Sequence, residues 1–283
     1  MNNNYIFPNK DLLEGNEKLD EKRYYNLSKL LLKKDADDNL IIPVGINEDK
    51  ERYYIDFNDI SGIFISGETG SGKSVFLNSL IISLLFKNAP SDVNFIFIDL
   101  NKVELNQYED IPHLLTNIFY DKEKASIVLS NISSLKQRRI ELLTVEGYKD
   151  INSYNDNKEI KLSHIFIVID EAVDLLKDKD VLDNLKEILA KGRQLGIHLI
   201  LSTSAYLEES IDKELLSLFS YTLSFDLASQ DQAKFINIKD SNLLKVTGEA
   251  YVKTTGSLEK IQTPYISLEE IKKVVEFINS QKK

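Results

Sequence analysis

The 283-residue chain has no cysteine, no tryptophan and a single methionine. The missing cysteine excludes disulfides, thiolate nucleophiles and cysteine metal sites together. Nothing approaches the roughly 18 consecutive apolar residues a membrane helix needs, and no membrane segment is expected. Residues 77–86 are the longest apolar stretch, at about half that length. The start, Met1 to Tyr5, has no basic region followed by an apolar one, so no signal peptide is read and a cytoplasmic location is expected. Histidine is scarce: His113, His164 and His198 are scattered without ligand spacing and read as structural. Positive charge is also short, with Lys plus Arg at 35 against Asp plus Glu at 45 and a net charge of −10. That argues against a surface that clings to nucleic acid everywhere, while leaving room for a local basic patch or a ring pore. A hydrophobic content of 42% and a charged content of 28% are ordinary, and the length allows a sizeable core.

What is present is concentrated in one stretch. Ile63 to Ser66 is a β-branched and aromatic run closed by Gly67, which reads as a short buried strand. From Lys73 to about Lys87 apolar residues crowd almost all round the helical period, leaving Asn78, Ser79, Ser83 and Lys87 as a polar stripe. This predicts a largely buried helix. Between the two lies G-x-x-x-x-G-K-[ST], filled by Gly67, Glu68, Thr69, Gly70, Ser71, Gly72, Lys73 and Ser74, with Val75 following. Glycines let the backbone curl until successive N–H groups and the helix N-terminus face one phosphate group. Lys73 supplies a mobile positive charge to β- and γ-phosphates, and the Ser74 hydroxyl is a ligand for Mg²⁺. The loop predicts binding of ATP with Mg²⁺.

Downstream, Val93 to Ile98 reads as a buried strand ending at Asp99, which either faces a ligand or caps the next turn. Tyr120 to Leu143 predicts one long helix, and Gly147 to Lys161 a polar loop. His164 to Ile169 is the most strand-like run, and Asp170-Glu171 follows at once. An apolar strand delivering two carboxylates is the Walker B pattern: Asp170 to hold the Mg²⁺ shell, Glu171 to orient and polarise the attacking water. Val181 to Gln194 predicts a helix, Ile197 to Leu201 a strand, Glu208 to Phe219 a helix, and Tyr221 to Phe225 and Glu249 to Lys253 late strands. Ser267 caps a terminal amphipathic helix reaching Asn279. Before the loop, Tyr24 to Lys34 reads as a short helix, and Leu40 to Val44 pairs with Arg52 to Phe57. Residues 1–40 read as a peripheral segment and 41–283 as the main domain. Strands alternating with helices predict an α/β fold, a mainly parallel sheet with helices on both faces.

Several segments, in order, resemble the motor domain of the FtsK/SpoIIIE family of DNA-translocating ATPases. They are Gly67 to Val75 with Asn78, Asp92 to Asp99, Val103 to Leu105, Tyr108 to Leu115, Gly147 through Asn155, Asp170 to Leu175, Lys191 to Arg193, Gly196 to Ile200 and Ser267 to Val275. The resemblance implies a RecA-like P-loop NTPase core, an Mg²⁺-dependent, DNA-stimulated ATPase working as a ring, usually a hexamer, that threads double-stranded DNA. It places Gly72, Lys73, Ser74, Asp170 and Glu171 at the nucleotide, and Lys149 where the family has a basic pore-loop residue. It also shows departures. Where relatives have a glutamine that senses the γ-phosphate this chain has Ser204, and Thr222 stands where many carry an arginine that reaches a neighbour's phosphate. Arg193 is a candidate substitute for that arginine. The first reading is a translocase serving a plasmid, phage or conjugative element. The alternatives are a nucleotide-binding regulatory or assembly module with weak hydrolysis, and a secretion-type ATPase of similar fold.

Overall fold

The alternation of strands and helices is realised as one nine-stranded sheet covered on both faces. The computed structural model describes residues 5–13, 25–31, 39–204 and 211–281. In chain order the strands are β1 (Tyr25–Asn26), β2 (Ile41–Asn47), β3 (Arg52–Asp56), β4 (Gly62–Ser66), β5 (Val93–Asp99), β6 (His164–Asp170), β7 (Ile197–Thr203), β8 (Tyr221–Ser224), β9 (Glu249–Lys253), β10 (Leu258–Gln262) and β11 (Pro264–Tyr265). The helices are α1 (Leu27–Leu30), α2 (Lys73–Lys87), α3 (Lys122–Glu146), α4 (Ile151–Asn157), α5 (Lys179–Leu195), α6 (Lys213–Leu218), α7 (Gln230–Phe235) and α8 (Leu268–Asn279).

The sheet order is β3-β2-β10-β9-β8-β4-β7-β6-β5. From β8 to β5 every pairing is parallel, and from β8 outward to β3 every pairing is antiparallel. Every residue of β4, β6 and β7 is buried, which is why these strands read as unbroken apolar runs rather than alternating ones. Register sets the function. Ser66 pairs with Thr203 and Asp99 with Asp170, so the carboxyl ends of β4, β7, β6 and β5 finish along one edge.

One core lies under α2 and α8, the other under α3 and α5. Helix α2 runs over the range the periodicity gives, but its polar stripe is not at the surface: Asn78, Ser79, Ser83 and Lys87 are all buried. Each is satisfied there, as when the Ser83 hydroxyl donates to the Ser79 carbonyl at 2.7 Å and Lys87 Nζ to the Ile41 carbonyl at 2.8 Å. Ser267 caps α8 as expected, closing a capping box with Glu270, and α5 is bounded by Asp178 as N-cap and by Gly196 in the left-handed region after it. All three histidines are buried, and burial pushes His113 and His198 down to about 4, so they pack as neutral rings.

Four sequence expectations change. The polar loop over Gly147 to Lys161 contains α4, a helix without apolar periodicity that forms because Asp150 and Ser153 close a capping box and Ile151 and Tyr154 bury. Of the helix expected at Tyr24 to Lys34, the described residues hold a single turn, α1, preceded by β1; residues 24 and 32–34 lie outside the described ones. The helix expected at Glu208 to Phe219 is described as α6, and residues 208–210 lie outside the described ones. In the N-terminal segment expected to be peripheral, Leu13, Leu27 and Leu31 join the α2 core, and β1 pairs with β11.

Candidate active site

The loop leaving β4 is shaped by what a side chain would meet. A Cβ on Gly67 would lie 2.6 Å from Cβ of Phe225, and one on Gly72 would lie 2.8 Å from the Gly248 backbone nitrogen. Gly72 also has φ 108°, a conformation that only glycine adopts without strain. It is the N-cap of α2 and caps nothing with a side chain, so the first N–H groups of that helix are left for a ligand. Beneath, the Gly248 N–H donates to the Ser71 carbonyl at 2.8 Å, and Glu68 N–H to the Asp226 carbonyl at 2.8 Å. The phosphate loop therefore rests on two later segments of chain.

The loop opens onto a cleft of about 370 Å³. Its walls include Glu68, Thr69, Gly70, Gly72, Lys73, Ser74 and Val75 from the loop, Asp170 and Glu171 from the end of β6, and Ser204 from the end of β7. Gly67 and Ser71 are buried in the loop's own packing. Strand β7 stands between β4 and β6, and this is how Ser204 reaches the cleft and the buried Ser202 reaches Lys73.

Lys73 Nζ donates to Oε1 of Glu171 at 2.8 Å and to Oγ of Ser202 at 3.3 Å, while Oδ1 of Asp170 is 4.0 Å away. Oε2 of Glu171 accepts the Ser204 N–H at 3.0 Å. The two neighbouring carboxyls are thereby driven apart. Burial pushes Asp170 up to about 6, because Lys73 is too far to offset it. Burial acts on Glu171 too, but Lys73 and Ser204 outweigh it and hold that carboxyl below its ordinary value. Glu171 has φ 54°, an uncommon left-handed turn for a residue with a side chain, which bends the chain sharply at the strand end.

The residues suit a magnesium-bound phosphate. Oδ1 of Asp170 is buried and lacks a hydrogen-bond partner, the half-buried Ser74 lines the same cleft, and both are hard oxygen donors. Among the described residues no three His, Asp or Glu side chains gather closely enough to hold an ion by themselves, so such an ion would be shared with phosphate oxygens.

Other residues singled out in the sequence lie elsewhere. Both the Glu104 and Leu105 N–H groups donate to Oδ2 of Asp99, at 3.0 and 2.9 Å, so this acid anchors the following turn. Lys149 stands between α3 and α4 with its side chain 85% exposed. It belongs to the opposite, amino-terminal edge of the sheet, where Arg139 of α3 donates to the carbonyls of Ser163, Leu195 and Gly196. Arg193 is exposed at that same edge, near the end of α5, its N–H donating to Oγ of Ser61. Thr222 is buried within β8 and lines a separate cavity with Lys213, Phe235 and Lys253. Sequence reasoning assigned no site role to Gly248, Thr247, Asn101, Val103 or Glu104; Val103 to Leu105 stood out only as a segment of family resemblance, and all five meet the loop only through the fold.

The profile of the FtsK/SpoIIIE family matches residues 29–163, which include the phosphate loop and the Asp99 to Leu115 segment. Over this stretch the chain is similar to the FtsK/SpoIIIE family. It is 31% identical over 262 residues to the DNA translocase SpoIIIE of Bacillus subtilis, covering 87% of this chain and 33% of that protein. It is 36% identical over 253 residues to a DNA translocase FtsK of Leptospira interrogans, covering 84% of this chain and 26% of that one. The chain thus spans a third or less of these curated relatives' length. In fold it is similar to the pCW3 conjugation coupling protein TcpA, in its monomer form with ATPgS, at TM-score 0.78, 18% identity and coverage of 94% of this chain and 75% of that one. It is also similar to the cytoplasmic domain of the type VII secretion ATPase EccC of Thermomonospora curvata, at TM-score 0.74, 24% identity and coverage of 89% and 32%. Both likenesses concern the fold alone, the α/β sheet that carries the strand, glycine loop and helix described above. Among the described residues no helix is long and apolar enough to cross a membrane.

Proposed function

We propose that the chain is a motor that binds and hydrolyses ATP with Mg²⁺ and moves double-stranded DNA, assembled as a hexameric ring and acting in the cytoplasm. The observation that carries this reading is the single cleft joining the phosphate loop to Asp170 and Glu171 through Lys73. The backbone from Gly67 to Val75 cradles the phosphates, and Ser74 and Asp170 hold the ion. Magnesium would there offset phosphate charge and orient the leaving oxygen.

The Lys73–Glu171 pair describes a resting state. While Lys73 lies 2.8 Å from Glu171, that carboxylate is held as a weak base. Phosphate oxygens that draw Lys73 away free Glu171 to accept the proton of the attacking water. Ser204 keeps a hydroxyl at the position of the γ-phosphate sensor and orients Glu171 through its N–H. Lys149, exposed at the far edge, is assigned to a DNA phosphate. The relatives named as DNA translocases support the choice of DNA as substrate.

A second reading, a nucleotide-binding regulatory or assembly module with weak hydrolysis, is favoured by Thr222: it is buried in β8 and offers no cation to a neighbouring cleft. ATP hydrolysis with and without linear duplex DNA separates the two, with Lys73→Ala as control. Strong stimulation by DNA, absent in Lys73→Ala, is expected. Nucleotide binding without turnover under either condition would sink the motor reading in favour of the second.

A further inference from the structure

A cleft built for a polyanion ordinarily presents donors and cations. Among the described residues this one presents four carboxylates, Glu68, Glu104, Asp170 and Glu171, to the single ammonium of Lys73. Asp170 and Glu171 have roles in the chemistry proposed above, whereas Glu104 has none, and it is held in place with unusual care.

Its backbone is fixed by the fully buried carboxylate of Asp99. Its side chain accepts from Nδ2 of Asn78 at 3.3 Å, and the same Nδ2 donates to the carbonyl of Ser74 at 2.9 Å. Asn78 is fixed in turn, its Oδ1 accepting from the Tyr108 hydroxyl and from Gln107, each at 2.7 Å. Glu104 is thus a negative charge locked to the phosphate loop through one amide, and its charge is felt at Asp170. The Asp170 side chain, only 4% exposed and with Oδ1 lacking a hydrogen-bond partner, independently marks this side of the cleft as the place of a cation.

Resting on the nucleotide reading above, we infer that Glu104 makes nucleotide entry conditional on a divalent cation: its fixed carboxylate repels a bare triphosphate and tolerates one that arrives with its ion. It is a specificity-determining residue for the metal-complexed form of the substrate, not a catalytic one.

The test is titration of the full chain with a fluorescent ATP analogue, in magnesium and in chelator, for the wild type, Glu104→Gln and Glu104→Asp. Glutamine keeps an acceptor for Asn78 and removes the charge; Glu104→Ser removes it without the amide, should glutamine disturb folding. The ratio of Kd in chelator to Kd in magnesium is expected to fall about tenfold on losing the charge, the scale of one short-range interaction at an effective dielectric of about 20 in partial screening. Glu104→Asp is expected to keep the wild-type ratio. A ratio unchanged in the neutral variants, or already near one in the wild type, overturns the assignment and leaves the nucleotide site standing. A wild type that binds no nucleotide in either buffer overturns the nucleotide reading itself.

Discussion

Replacing Asp170 by asparagine is expected to make the metal-free protein more stable, although the same change removes a residue assigned to the ion. Burial moves this carboxyl from 3.8 to about 6, against the opposing pull of Lys73. The folded-state value lies above the unfolded one, so the folded protein binds more protons between the two. Its contribution to stability is fully present below the unfolded value and is lost as pH rises through about 6. At about pH 7.5 the charged form costs about 3 kcal/mol, and at about pH 4.5 about 1 kcal/mol, from 1.36 kcal/mol per tenfold change in protonation. Asparagine removes the charge, and Lys73 keeps its 2.8 Å partner Glu171. Urea unfolding in chelator should therefore show Asp170→Asn gaining up to about 3 kcal/mol near neutral pH. The gain should shrink by about 2 kcal/mol in acid. A variant less stable than the wild type at neutral pH, or a gain that does not change with pH, would refute the reasoning. Such a residue persists against its own stability cost because the site needs it charged.

Three further outcomes follow from the geometry. Gly72→Ala combines φ 108° with a Cβ 2.8 Å from the Gly248 backbone, and should lose roughly 2–5 kcal/mol in urea unfolding. Gly70→Ala, with φ 84° but open space around it, should lose only about 1–2 kcal/mol, so equal losses would contradict the packing argument. Arg139→Met removes the guanidinium donor from the carbonyls of Ser163 and Leu195, while that of Gly196 keeps the Ile165 N–H at 2.8 Å, and should cost about 2–4 kcal/mol by the same measurement; a neutral result would show the first two carbonyls to be satisfied by water. Lys149→Ala should leave the melting temperature unchanged, since the side chain is 85% exposed, while lowering the slope of log affinity for duplex DNA against log salt by about one; an unchanged slope removes Lys149 from the DNA path.

Local sequence is a good guide where one short segment suffices to make the feature. The strand, glycine loop and helix from Gly62 to Lys87 form over the range that apolar periodicity and turn chemistry indicate. So do β5, β6 and the capped α5 and α8, because a buried parallel strand and a capped amphipathic helix each carry their cause within a few residues. Where local signals are weak or misleading, context takes over. Helix α4 has almost no apolar face and exists by its capping box, and of the buried polar residues of α2 Lys87 donates to the Ile41 carbonyl and Asn78 accepts from the Tyr108 hydroxyl, both from other segments, while Ser79 and Ser83 donate to carbonyls of their own helix.

By itself, then, the amino-acid sequence determined that a phosphate loop and a following pair of carboxylates exist, since each is written in adjacent residues. Only the tertiary structure decided their chemistry. It put β7 between β4 and β6, gave Lys73 to Glu171 rather than to Asp170, and so split two adjacent acids into one carboxyl pushed up by burial and one held down by its ion pair. It also brought Gly248 beneath the loop and Glu104 into the cleft, across separations no local pattern spans. The physical reason is that charge, burial and close contact depend on distance in space, and distance in space is fixed only once the sheet order is.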